Sequence, residues 1–189
     1  MRAINDRPCG AFQITLLGRS PIARDMHGGM TMFREVARKN RALPREECIE
    51  ILKTELRGVL SVQGDDGYPY ALPINQFYTE DDGHLYFHSG NFGHKVDAIR
   101  RDDKACFCCY DRGFVKPDDW ALNIRSVIVF GRIRIVEDHE KALDISRRLS
   151  YKFTADEDYI NYEIQHSGQR VLVFELIPEH MTGKIVNEK

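Results

Sequence analysis

No run in this chain is long and apolar enough to span a bilayer, and no second C-x-x-C pair accompanies Cys106 and Cys109 as a four-cysteine structural zinc site would need. Neither the phosphate-loop pattern GxxxxGK[ST] nor the dinucleotide fingerprint GxGxxG occurs, so a nicotinamide cofactor would visit without a Rossmann domain of its own. Charge of one sign is also lacking. The 27 Lys and Arg residues nearly balance 29 Asp and Glu, and a net charge of -2 gives no electrostatic case for nucleic acid. The cluster Arg34, Arg38, Lys39, Arg41 and Arg45 is interrupted by apolar and acidic residues and reads as a solvated helical face. The five cysteines are odd in number, which argues against a disulfide framework and for a reducing compartment, the cytoplasm. Strand alternation sets Cys109 on the face opposite Cys106 and Cys108, so these three read as core or interface packing rather than as ligands. No set of four converging thiols suggests an iron–sulfur cluster.

At 189 residues and 42% hydrophobic, the chain is large enough for one domain with a substantial core. Its most informative stretch is YFHSGNFGHKVDAIRR, Tyr86 to Arg101. An aromatic strand-like run is broken by Ser89, Gly90, Asn91 and Gly93 before Val96 and Ile99 resume at helical spacing. Backbone N–H groups at such a helix start point at an anion, Ser89 adds a hydroxyl and Lys95 a mobile charge. Taken alone, the same residues also describe an ordinary strand, loop and helix.

The surroundings narrow the choice. From Gly58 to Gly90 the chain reads as three strands of an antiparallel meander joined by turns at Asp66-Gly67 and Asp82-Gly83. Lys104 to Tyr110 and Leu122 to Val136 read as further strands. A helix is expected from Pro44 to about Leu56, with Cys48, Ile49, Leu52 and Leu56 on one face, plugging a barrel end. Covering helices are expected near Glu140–Phe153 and Asp156–Gln165. A closing strand follows from Gln169 to Ile177, with Val171, Val173 and Glu175 on one face and Leu172, Phe174 and Leu176 on the other.

The succession FREVARKNRALPREECIEIL, GYPYALPIN, LYFHSGNFGHKVDAIRRD, CFCCYDRG and SVIVFGRIRIVED, spanning roughly Met32 to Lys184, resembles the FMN-binding split β-barrel proteins related to pyridoxamine 5'-phosphate oxidase. It is most similar to the branch that includes the Nim nitroimidazole-resistance proteins. The resemblance implies a mainly β fold with peripheral helices, and a homodimer with FMN between its subunits. It implies that Ser89, Gly93, His94 and Lys95 lie at the phosphate, with His94 facing either the phosphate or solvent. Leu72, Pro73, Ile74 and Asn75 would pass the flavin ring, and His88 would stand beside it as the candidate catalytic residue, its alternative being a hydrogen-bonded sheet histidine.

Trp120, the only tryptophan, would reach the flavin from the partner subunit or serve as an interface or lid aromatic. Arg125 and Arg132 are further candidate cations near the flavin. A flavin needs donors at its pyrimidine edge and an apolar face open to substrate, which suits these residue types. The implied activity is FMN-dependent reduction of a nitroaromatic, such as a 5-nitroimidazole, or a related small molecule, with NAD(P)H as transient donor. A non-catalytic flavin-binding dimer acting as sensor, reservoir or sequestering protein is the alternative, as is haem ligated by His88, His94 or His180. Authentic pyridoxamine phosphate oxidation is not expected, because the C-terminal stretch keeps His180 but lacks the arginine partners.

Met1 to Thr31 lies outside the resemblance and shows no sustained period; it is expected to be a loosely packed or upstream-translated extension of the domain at 32–189, with Met30 or Met32 as the natural start.

Overall fold

β-Branched and aromatic residues at alternate positions turn the apolar segments into strands with one buried face, and a computed structural model describes residues 33–189. The residues expected to form an extension lie outside them. Within Glu35–Lys189 the order is β1 (Ala42–Leu43), α1 (Arg45–Thr54), β2 (Arg57–Gln63), β3 (Pro69–Asn75), β4 (Phe77–Tyr78), β5 (Leu85–Ser89), α2 (His94–Arg101) and β6 (Lys104–Tyr110). Then come β7 (Phe114–Val115), β8 (Leu122–Ile135), α3 (His139–Ser150), α4 (Glu157–Ser167) and β9 (Leu172–Asn187). One antiparallel sheet runs β3-β2-β6-β8-β9-β5-β4, with β1 added to β9 and β7 to β8.

The curled sheet wraps one main core. Leu60, Phe87, Phe107, Val129, Ile133 and Phe174 meet Cys48, Ile51 and Leu52 of α1, which lies over one end. Pro44 is the N-cap of α1, not its first residue, and Ile51 takes the buried position assigned to Ile49, which packs only partly against the core. A smaller cluster on the outer side joins Tyr86 and Val173 to Ala142 and Ile145 of α3. Asp138 and Asp156 cap α3 and α4 by accepting the N–H groups of Lys141 and Tyr159.

Three expectations change. The middle strand of the meander divides at Gln76, so β3 pairs with β2 while β4 pairs with β5, and no continuous meander forms. Gln76 is fully buried, and its side-chain amide donates to the carbonyls of Leu52 and Glu55 at the end of α1. Its backbone N–H donates to Leu56 O at 3.1 Å, continuing the β2–β3 register one pair past Arg57 and Asn75. The closing strand extends to Asn187, because its polar second half, past Pro178, is held by pairing with β8 rather than by an apolar period. The basic cluster is solvated but not a helical face: Lys39–Arg41 forms a short 3-10 turn and Arg45 begins α1.

Cys106 and Cys108 share one face of β6 while Ala105, Phe107 and Cys109 point into the core. Burial pushes the Cys106 thiol up to about 11 and the Cys109 thiol to about 12, so neither is a ready thiolate.

Candidate functional site

Alternation along β5 decides what its end presents. Leu85 and Phe87 enter the main core, whereas Tyr86 joins the outer cluster, so His88 faces α3 and α4 and Ser89 the opposite side. Ser89 is buried, and its hydroxyl donates to the Gly90 carbonyl at 2.8 Å. Gly93 adopts φ 111° as the N-cap of α2, a conformation that favours glycine, and its carbonyl accepts the N–H of Val96 at 2.9 Å. A Cβ at Gly90 or Gly93 would meet nothing within 4 Å, so the loop backbone opens onto free space.

No side chain caps α2, and Lys95, half-buried in its first turn, has no carboxylate partner among the described residues. The other candidate cations are engaged: Arg125 pairs with Asp111 at 2.7 Å and Arg132 with Asp103 at 2.7 Å and Glu179 at 3.0 Å. An uncompensated ammonium beside an open glycine loop and an uncapped helix start forms a donor set suited to an oxyanion. His88 is held below its ordinary pKa by desolvation and by the nearby Lys95 ammonium, which leaves its imidazole neutral at pH 7.

His94 is exposed at the start of α2, its side chain 41% accessible. Its ring stacks on Tyr70 of β3, with centroids 4.0 Å apart, and its Nε2 lies 3.4 Å from Oδ2 of Asp65, in the β2–β3 turn. Arg101 binds the same carboxylate at 3.0 Å, so Asp65 fastens both ends of α2 to that hairpin. These partners of His94 carry no motif of their own in the sequence; only the sheet register brings Tyr70 and Asp65 to α2.

β3 lies at the end of the sheet path, so one of its edges has no neighbouring strand among the described residues. Leu72 and Ile74 turn inward and Pro73 outward. Pro73 has no N–H and the register turns the amides of Leu72 and Ile74 toward β2, so Asn75 carries the outward amide donor of this segment. Trp120 is exposed on the loop before β8, and β8 starts opposite Asn187, whereas Ser89 pairs with Leu172. The two residues therefore sit at opposite ends of β9, and the chain does not itself bring Trp120 to the loop. His180 is paired with Phe130, away from His88 opposite Val173, so the three histidines do not converge.

No local pattern marks the second polar centre, around Glu175, which is 2% exposed. It accepts hydrogen bonds from Tyr86 at 2.7 Å, Arg134 at 2.6 Å, and His84 and Lys141 at 3.0 Å. Burial alone would raise its carboxyl, but these four donors outweigh that and hold it at about 2. Asp82, His84 and Glu175 bring ligand-type atoms within 4.8 Å of one another, but two cationic side chains already occupy the carboxylate.

A family model described as pyridoxamine 5'-phosphate oxidase matches residues 44–185. No curated protein matches the chain at a significant level. Among solved structures, a candidate 5-nitroimidazole antibiotic resistance protein from Bacteroides thetaiotaomicron is 20% identical, with a TM-score of 0.65 over 77% of this chain and 87% of that one. A FAD-binding protein from Mesorhizobium loti is 25% identical, with a TM-score of 0.60 over 77% and 97%. A FAD and haem binding protein from Mycobacterium smegmatis is 18% identical, with a TM-score of 0.60 over 77% and 72%. These likenesses assign the curled sheet to the FMN-binding split β-barrels.

Proposed function

The chain belongs to the pyridoxamine 5'-phosphate oxidase family, and from that premise we propose that it is an FMN-dependent reductase of nitroaromatic or related small molecules, working as a homodimer in the cytoplasm. The observation that carries the reading is Lys95, a half-buried cation without a carboxylate partner, beside the open backbone of Gly90 and Gly93. The flavin's 5'-phosphate is placed there against Lys95 and the amides that open α2, with the Ser89 hydroxyl turning from the Gly90 carbonyl to donate to it. His94, braced by Tyr70 and Asp65, keeps the loop against β3.

Along the edge of β3 away from β2, the Asn75 amide and side chain serve the polar edge of the ring, with Leu72, Pro73 and Ile74 passing beside it. Bound flavin supplies the redox chemistry, accepting hydride from a reduced nicotinamide and passing electrons to the acceptor. Neutral His88 orients the acceptor and exchanges a proton with it. A second copy covers the exposed sheet face around Val59, Ile128 and Phe130 and brings its own Trp120 to the flavin. A nearby relation to a nitroimidazole-resistance protein favours a nitro group as the electron sink.

The test is anaerobic reduction of the flavin-loaded protein by NADPH or NADH, followed by a nitroimidazole. Bleaching with nitro-dependent reoxidation supports a reductase; bound flavin that neither nicotinamide reduces would instead make the protein a flavin carrier.

A further inference from the structure

The hairpin of α3 and α4 covers the end of β5, and between them lies a cavity of about 450 Å³ with His88, Ser89 and Gly90 along one wall. It is part of the site described above. An acceptor that meets the His88 imidazole therefore has its body under the hairpin, among the residues that line this space.

Those residues select by shape and by charge. Leu149 and Ile160 are buried and Ile164 half-buried, and together they make an apolar wall suited to a flat ring. Arg170 supplies the charge. Leu172 pairs with Ser89, so Arg170, two residues earlier, lies where the chain passes the start of the glycine loop. Arg170 is exposed and forms no ion pair among the described residues. With Lys95 given to the flavin phosphate, this guanidinium is left for a second anion, and its planar fork of N–H donors matches a carboxylate.

Nothing else in the lining duplicates that role among the described residues. His88 is neutral, and Ser146 and Ser150 donate their hydroxyl protons to the α3 backbone, at 2.8 Å and 2.9 Å, so they present acceptor oxygens to the cavity. Glu163 of α4 also lines it and forms no ion pair with Arg170, which leaves the guanidinium's charge uncancelled.

We propose that this cavity binds an aromatic carboxylate, so that the electron acceptor of the chain is an aromatic acid in preference to a neutral aromatic of the same shape. The inference rests on the reductase reading above and narrows its substrate class. The ring lies against Leu149 and Ile164, the carboxylate pairs with Arg170, and the reducible group faces His88.

The experiment is calorimetric titration of the full-length, FMN-loaded protein with 4-nitrobenzoate and with 4-nitrobenzamide, followed by NADPH oxidation with each. The carboxylate is expected to bind at least tenfold more tightly and to show the same preference in kcat/KM. Arg170→Gln should remove the preference while amide binding and FMN affinity stay within about twofold. Ile164→Trp, which fills the slot, should weaken both compounds at least tenfold and leave FMN bound. Equal binding of acid and amide, a preference that survives Arg170→Gln, or a loss of FMN affinity in that variant with the preference intact would overturn the acceptor assignment alone. A protein that retains no flavin would overturn the reductase reading and, with it, the acceptor role of the cavity.

Discussion

Lys95 is half-buried and answered by no carboxylate among the described residues, which is a cost unless an anion supplies a partner. Replacing it with alanine removes a charge-assisted hydrogen bond of about 1.5–3 kcal/mol, so flavin affinity falls by one to two orders of magnitude in an equilibrium titration. Unchanged affinity would place the phosphate elsewhere. Glu175 makes a different prediction, of stability and pH. In the unfolded chain it takes up its proton near 4.5 and in the folded chain only at about 2. The stabilisation is thus fully present above pH 4.5 and is lost as pH falls toward 2, for a total of about 3 kcal/mol. Glu175→Gln should lower the melting temperature by about 5–10 °C at pH 7 and by much less at pH 3. A deficit independent of pH would show that the carboxylate's charge is not what stabilises the cluster.

At the scale of elements, β8 and β9 are the longest strands and the ones the sequence describes least evenly. β8 reads plainly from its valines and isoleucines, and β5 with α2 from an aromatic run, a glycine break and a helical period. The second half of β9 carries proline and polar residues and is a strand only because β8 pairs with it. The division at Gln76 was equally hidden, since a buried glutamine bonded to the end of α1 depends on packing that no local pattern encodes. In the site, Ser89, Gly93 and Lys95 could be read from their order, whereas the fastening of His94 depends on register. The β8–β9 ladder shifts register between Phe130 and Gly131, where a Cβ would fall 2.1 Å from the Ile177 carbonyl oxygen. Because the obstacle is backbone, Gly131→Ala must displace β9, and we expect a loss of about 2–4 kcal/mol in denaturant unfolding. A loss under 0.5 kcal/mol would mean that the two strands separate there at little cost.

For the whole molecule, the sheet face opposite the core leaves Val59 at 40%, Ile128 at 37% and Phe130 at 36% exposure, with Cys106 and Cys108 between them. Large apolar residues gathered in this way on one sheet face suit the proposed dimer, in which the partner's Trp120 would reach the flavin. Ile128→Glu is expected to weaken dimerisation at least thirtyfold, about 2 kcal/mol, in sedimentation equilibrium, and to weaken flavin binding with it. Wild-type protein that stays monomeric at tens of micromolar while holding flavin would contradict the shared site. The central claim, that this barrel holds a flavin at the Ser89–Lys95 loop, is tested most directly by the absorbance spectrum of the full-length protein after incubation with flavin and gel filtration. The account predicts a yellow protein that retains oxidised flavin in proportion to its chains; a colourless protein that retains none would contradict it.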